Sequence, residues 1–185
     1  MFVSFETAQA VLARADCLHS SAEVDAAFDH MAAAITQQIG TSGPLVISVM
    51  QGGLISTGLL LSRLHFPLQI DYVHASRYGG ETQGGVLDWK VTPHHELKGR
   101  TVLLVDDIHD EGITLQAIID YCEQQGAAQV MSAVLVNKLH DRKRAPLADF
   151  VGLNVVDRYL FGYGMDYKGY LRNAPGIYAV CSDDE

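Results

Sequence analysis

Between residues 45 and 136 the chain alternates short, nearly continuous apolar runs with longer stretches in which apolar residues recur every third or fourth position. Leu45–Met50, Thr101–Val105 and Val130–Val136 are the clearest runs, rich in Val, Ile and Leu, and they predict strands buried on both faces. Leu68–His74 and Val86–Val91 predict two further strands, separated by a polar, Gly-rich loop over 77–85. A helix is expected from Gln51-Gly52-Gly53 to about Leu64, and another over 112–125 that Gly126 would terminate. Two Ala-rich helices, 5–18 and 21–38, precede this region, the second opened by Ser20 and Glu23 at capping-box spacing. Gly40-Thr41-Ser42-Gly43-Pro44 breaks the pattern before the first strand. After a basic turn, Arg142-Lys143-Arg144-Ala145-Pro146, Phe150–Leu153 and Ile177–Val180 are short strand candidates. Strands alternating with helices imply an α/β chain with a mostly parallel central sheet flanked by helices.

The chemistry concentrates where one of these strands ends. Thr101–Val105 runs directly into Asp106 and Asp107, and a third acid, Asp110, precedes a Gly-containing turn into the next helix. Strand ends of an open α/β sheet are where ligand-binding groups gather. The unpaired N–H groups of a helix start hold anions, phosphate above all. Adjacent carboxylates bind hydroxyls or a hard cation. The stretch therefore fits a phosphorylated sugar accompanied by a divalent metal.

Composition narrows the setting. At 185 residues, 48% hydrophobic and 19% charged, the chain is expected to form one domain over 1–185, its core about 40–140 and its C-terminal segments about 145–185. A formal net charge of −9 argues against partners held by general attraction, so neither nucleic acid nor a membrane surface is expected. An anionic substrate would have to be held by local donors and a metal. Cys17, Cys122 and Cys181 are too few and too scattered for a disulfide framework or a zinc site. The N-terminus shows neither a signal peptide nor a membrane span, and a cytoplasmic location is expected. His94-His95-Glu96 lacks metal-ligand spacing, His109 is open between lining the site and facing solvent, and Asp183-Asp184-Glu185 is expected to be a solvated tail.

The run Val-Leu-Leu-Val-Asp-Asp-Ile-His-Asp-Glu-Gly-Ile-Thr, 102–114, resembles the phosphoribosyl-diphosphate (PRPP) motif of type I phosphoribosyltransferases. Four further segments, in order, resemble the hypoxanthine-guanine branch of that family. Met50-Gln51-Gly52-Gly53 is similar to its pyrophosphate loop, and Ser76-Arg77-Tyr78-Gly79 through Gly85 to its flexible catalytic loop. Val136-Asn137-Lys138 is similar to the lysine segment that reads the purine. Asp149–Gly152 and Asp157–Tyr167 are similar to the C-terminal hood over the base. The resemblance implies a type I phosphoribosyltransferase fold with a small hood built from C-terminal segments, the N-terminal segment being open as a further contributor. It implies transfer of the phosphoribosyl group from PRPP to hypoxanthine or guanine with Mg²⁺ as cofactor, in a homodimer or homotetramer. A non-catalytic relative that binds PRPP or a nucleotide as a regulatory sensor is the alternative reading. A phospho-acceptor receiver domain shares the Val-Asp-Asp strand end but carries it near its N-terminus, not a hundred residues in.

By the same resemblance, Asp106, Asp107, Asp110, Glu111, Gly112, Ile113 and Thr114 hold the ribose phosphate, and Gln51, Gly52, Arg77 and Arg172 meet the pyrophosphate. Lys138 faces the 6-oxo group, Tyr159 stacks on the purine, and the Leu160 backbone touches the base edge. Asp106, Asp107 and Asp166 serve the metal. Asp110 is placed at N7 as the catalytic proton partner, and Tyr78 closes over the leaving group. A strained or cis Met50–Gln51 peptide would accompany that site. Three positions depart from the family pattern: Gln51 where Lys is frequent, Arg77 where Ser is common, and Glu111 where Thr is usual. An acid beside a dianionic phosphate is repulsive unless its side chain turns away.

Overall fold

A computed structural model describes residues 3–77 and 87–184. Helix α1 (Phe5–Arg14) is followed by strand β1 (Asp16–Ser20), helix α2 (Ser21–Ile39), strand β2 (Leu45–Met50) and helix α3 (Gly53–Leu61). Strands β3 (Gln69–Arg77), β4 (Leu87–Val91) and β5 (Thr101–His109) lead to helix α4 (Ile113–Gln124). Strands β6 (Gln129–Leu139), β7 (Phe150–Val156), β8 (Leu160–Phe161) and β9 (Gly176–Ala179) complete the chain, with a final 3₁₀ turn at Ser182–Asp184.

Six strands form one sheet in the order β4-β3-β2-β5-β6-β7, parallel except for the antiparallel edge strand β4. The continuous apolar runs are explained by double-sided burial. Val46, Leu103 and Val105 face α2 and α3, while Leu45, Ile47, Val102 and Leu104 face α4. Successive residues of one strand thus feed two different cores. Helix α2 turns Val24, Phe28, Met31, Ile35 and Ile39 toward the first core. The predicted capping box is present: the Ser20 N–H donates to Glu23 Oε2 at 2.8 Å and the Glu23 N–H to Ser20 Oγ at 3.4 Å. Loss of such a cap costs about 1 kcal/mol.

The first predicted helix is shorter than its Ala-rich pattern suggested. It stops at Arg14, and Asp16–Ser20 is a strand because β9 offers a paired edge, Asp16 opposite Ala179 and Ser20 opposite Gly176. With β8 on the other side of β9, β1 makes a second, three-stranded sheet. The N-terminal segment therefore does contribute to the smaller unit that the C-terminal segments form. Val11, Phe161, Tyr167, Ala174 and Val180 fill its interior. The tail is tied down as well, since Arg14 grips the Asp184 carboxylate at 2.6 and 3.1 Å.

Two strands run past their sequence-based ends. β2 pairs with β5 only from Val102 to Val105, but β5 and β6 stay paired to His109 and Asn137. This overhang carries the acids of the motif beyond the body of the sheet.

Candidate active site

The chain leaves β2 toward β3 on one side and β5 toward β6 on the other, so the strand order reverses between β2 and β5. Ligands of open α/β sheets bind at such a reversal, beyond the carboxyl ends of the strands. Here a cleft of about 410 Å³ opens, bordered by Met50 at the end of β2, Gly52 in the turn after it, the turn 110–114 after β5, and Arg172.

The turn that follows β2 begins with a cis peptide between Met50 and Gln51. Gly52 has no side chain because Asp107 occupies that space: a Cβ there would fall 2.5 Å from the Asp107 Cγ. Gly164, at φ +112°, packs on the same turn, and its Cβ would lie 3.1 Å from the Asp107 Cβ. Gln51 is exposed, and its carbonyl accepts the Leu54 N–H at 3.2 Å.

Asp106 and Asp107 stand side by side on the cleft floor, the Asp107 N–H donating to Asp106 Oδ1 at 2.9 Å. Burial raises both carboxyls above their ordinary values, and the neighbouring Asp107 charge raises Asp106 further. The nearby Arg172 guanidinium opposes this at both. Arg172 also donates to the Gly164 carbonyl and lies 2.6 Å from Asp166 Oδ1. Asp166 thus stands behind Arg172, its other oxygen accepting the Gly169 N–H at 2.7 Å. Among the described residues no group of three or more His, Cys, Asp or Glu could hold a metal ion. Two adjacent carboxylates fit a Mg²⁺ that draws its remaining ligands from a phosphorylated substrate and water.

At the far side of the cleft, Gly112 takes φ +83° and caps α4 without a side chain. The first amides of α4, from Ile113 through Leu115, therefore begin at the cleft wall, with donors that the helix itself leaves unpaired. Glu111 borders the same cleft, yet its carboxylate lies 3.8 Å from Arg144 Nε, and its carbonyl accepts the Arg144 N–H at 2.9 Å. The basic turn draws the acid toward itself, which accounts for an acid being tolerated in this loop.

Register brings the next pair together. His109 is opposite Asn137, so one residue further along the parallel strands Asp110 comes beside Lys138. Lys138 Nζ donates to Asp110 Oδ2 at 3.2 Å and lies 3.6 Å from Asp157 Oδ1. Burial pushes the Asp110 carboxyl up, but His140 and Lys138 outweigh it and hold the group below its ordinary value. Asp157 is held down at about 2 by Arg142, which grips it at 2.7 and 3.1 Å.

Tyr159 and Leu160 sit at the start of the small sheet. The Tyr159 ring leans on Tyr167, with centroids 5.6 Å apart, and its hydroxyl accepts the Lys168 N–H at 3.3 Å. Leu160 is buried in the main core, so only its backbone is available to a ligand. Arg77 is the last residue of β3, and Tyr78, with the rest of the expected catalytic loop through Gly85, lies outside the described residues, as does Val86, the expected first residue of the next strand.

Two residues escaped the sequence reading. Lys143, which the sequence places only in a basic turn, reaches under the loop. Its Nζ donates to the His109 carbonyl at 2.6 Å, the Asp110 carbonyl at 2.7 Å and Asn137 Oδ1 at 2.9 Å, and it lies 2.9 Å from His109 Nδ1, four neighbours sharing three N–H donors. His109 is consequently buried, its Nε2–H donating to the Pro146 carbonyl at 2.9 Å. The second is His140, which contacts Asp110. The three consecutive basic residues at 142–144 were the available signal, but nothing in their spacing separates an inserted lysine from two exposed arginines.

His94 and His95 close on Asp71, whose carboxylate accepts both of their backbone N–H groups, at 2.7 and 2.9 Å.

A family profile described as "Phosphoribosyl transferase domain" matches residues 15–168. A hypoxanthine-guanine phosphoribosyltransferase of Streptococcus pneumoniae (strain ATCC BAA-255 / R6) is 30% identical over 161 residues, which is 86% of this chain and 89% of the relative. Among solved structures, a hypoxanthine-guanine phosphoribosyltransferase (hpt-2) from Bacillus anthracis superposes with a TM-score of 0.84 at 27% identity, covering 90% of this chain and 98% of the other. The hypoxanthine phosphoribosyltransferase of Trypanosoma cruzi in complex with the product IMP gives 0.83 at 26% identity, covering 92% and 95%. By this profile match and this identity over most of its length, the chain belongs to the phosphoribosyltransferase family, in its hypoxanthine-guanine branch.

Proposed function

We propose that this chain transfers the 5-phosphoribosyl group from PRPP to N9 of a 6-oxopurine, hypoxanthine or guanine, yielding IMP or GMP and pyrophosphate. The observation that carries this reading is the side-by-side placement, at one strand-order reversal, of a buried acid pair, an amide-lined helix start and the Asp110–Lys138 pair. The 5′-phosphate is held by the backbone N–H groups of 110–114 and the Thr114 hydroxyl. Asp106 and Asp107 accept hydrogen bonds from the ribose hydroxyls and hold Mg²⁺, with Asp166 supporting through water. A Mg²⁺ held there would supply charge neutralisation for the pyrophosphate leaving group. Arg172, Gly52, Gln51 and Arg77 face that pyrophosphate, and Tyr78 closes over it.

Lys138 offers donors only, so it suits the 6-oxo acceptor and opposes the 6-amino group of adenine. Tyr159 stacks on the purine, a contact worth about 1–3 kcal/mol, and the Leu160 backbone meets the base edge. The chain is read as one domain working in the cytoplasm as a homodimer or homotetramer. Exposed Leu54, Ile70 and Tyr72 beside the Met50 turn are apolar surface that such an assembly would cover. Among the described residues no helix is long and apolar enough to cross a membrane.

The direct test is purified protein with PRPP, Mg²⁺ and each of hypoxanthine, guanine, xanthine and adenine, with nucleotide formation followed. Turnover of hypoxanthine or guanine at least about 100-fold above adenine is expected, the scale on which a mispaired buried polar group discriminates. Binding of PRPP without turnover of any base would favour the regulatory-sensor reading. A second measurement concerns Glu111. Because its carboxylate faces Arg144, Glu111→Thr is expected to change the KM for PRPP by less than about threefold, the size of an exposed ion pair. Tightening by tenfold or more would show that its charge opposes the phosphate.

A further inference from the structure

His140 lies just beyond the end of β6, and its side chain is only 4% exposed. The ring Nδ1 accepts the Arg142 backbone N–H at 3.0 Å. Its proton therefore sits on Nε2, which donates to Asp110 Oδ1 at 2.6 Å. The two oxygens of Asp110 are thus held in unequal ways. Oδ1 is bound by a buried ring locked at both nitrogens. Oδ2 is bound at 3.2 Å by Lys138, a long flexible side chain with a second carboxylate, Asp157, 3.6 Å away.

Resting on the reading above, that Asp110 faces N7 and Lys138 the 6-oxo group, we propose that His140 is a positioning residue for the transfer: it keeps Asp110 Oδ1 in place so that Oδ2 points at purine N7 once Lys138 has moved to the 6-oxo group. Without this anchor the Asp110 carboxylate, 46% exposed, is free to rotate and to offer both oxygens to Lys138. That would strengthen an ion pair which competes with the purine for the same lysine. His140 does not itself carry the proton. Nδ1 is occupied by an amide and Nε2 by its own hydrogen, so the ring has no open site to receive one. In this respect the pair inverts the familiar acid–imidazole arrangement: the imidazole orients the acid. The groups that face Asp110 are the Lys138 ammonium and the neutral His140 ring on its oxygens, Lys143 on its main-chain carbonyl, and Asp157 with Arg142 behind Lys138.

The test compares wild type, His140→Ala and His140→Gln as full chains, with PRPP, Mg²⁺ and whichever of hypoxanthine and guanine turns over faster. In the Ala variant kcat should fall about 10- to 100-fold, the loss of one hydrogen bond to a charged group, and the KM for PRPP should stay within about threefold. The Gln amide stands near the position of Nε2, so this variant should recover kcat to within about fivefold of wild type. The acid limb of the kcat profile should move to higher pH in the Ala variant and return in the Gln variant, because the donor on Oδ1 favours the ionised form. Wild-type kcat in the Ala variant would overturn the proposal. So would a PRPP KM that rises in step with the loss of kcat, or a Gln variant no better than Ala, since either marks a role in holding the loop together. If the Ala variant fails to fold, the Gln variant compared with His140→Leu decides in the same way. Absence of nucleotide formation by the wild type would instead remove the reading on which the proposal rests.

Discussion

Replacing Asp110 by asparagine is expected to lower kcat by about 10²–10³-fold, equivalent to about 3–4 kcal/mol of transition-state stabilisation, while the KM for PRPP changes by less than about threefold. The split follows from where the groups sit. The phosphate is assigned to backbone amides of 110–114, which the substitution leaves intact, whereas N7 is assigned to the Asp110 carboxylate. The expected loss lies toward the lower part of the range for acid–base catalysis. Asp110 is held below its ordinary carboxyl value by His140 and Lys138 against the opposing effect of burial, and a weak base gives little driving force for full proton removal. Its larger contribution is then a fixed negative charge that accepts the N7 hydrogen bond as positive charge develops on the base and ribose. Asparagine keeps the shape and can still accept from His140 Nε2. Its amide N–H groups, however, would face Lys138 Nζ, donor against donor. Steady-state kinetics with PRPP varied at saturating purine measure both constants. Parallel loss of kcat and PRPP affinity would mean that Asp110 binds PRPP rather than serving the base.

The parts of this arrangement that could be read in the sequence are those in which local pattern and tertiary environment agree. Leu45–Met50 appears as a strand at the residues its apolar run predicted, because all of it but the last residue is buried within the sheet. That the acids at 106, 107 and 110 would gather at one cleft was legible because charged residues directly after a buried strand have few structural uses. The continuation of β5 to His109 was not legible. Aspartates are poor strand formers, and only pairing with β6 keeps them extended. The same pairing sets Asp110 beside Lys138, a relation between residues 28 apart that neither segment encodes alone. β1 was hidden for a similar reason: Asp-Cys-Leu-His-Ser has no strand pattern and depends on the edge of β9. Asp166 and Arg172 were each expected at the site on resemblance, but their mutual ion pair at 2.6 Å depends on how the hood loop folds back.

Lys143→Met should destabilise the protein by about 2–4 kcal/mol, since up to three oxygens and a ring nitrogen lose their shared donor, each at about 1–3 kcal/mol when buried and partly relieved where water can enter. For a chain of this size that corresponds to a fall in Tm of about 5–15 °C. Burial also lowers the Lys143 pKa, while the Asp110 charge favours its ammonium form. The retained charge lies beneath a turn assigned to a dianionic phosphate in a chain of net charge −9. It therefore supplies positive potential where the overall field is unfavourable. Methionine fills similar volume without donors or charge, so the His109 and Asp110 carbonyls would be released and the 110–114 turn would lose its support from below. The KM for PRPP is expected to rise about tenfold, a 1.4 kcal/mol effect of the kind a lost charge-assisted contact produces, with kcat reduced less. Lys143→Arg is the informative companion. It restores the charge but cannot fit its planar fork to four acceptors converging on one nitrogen, so PRPP affinity should recover more than Tm does. Thermal unfolding and PRPP kinetics on the two variants read these separately. A Met variant with wild-type Tm and PRPP KM would show that the turn keeps its shape without the lysine.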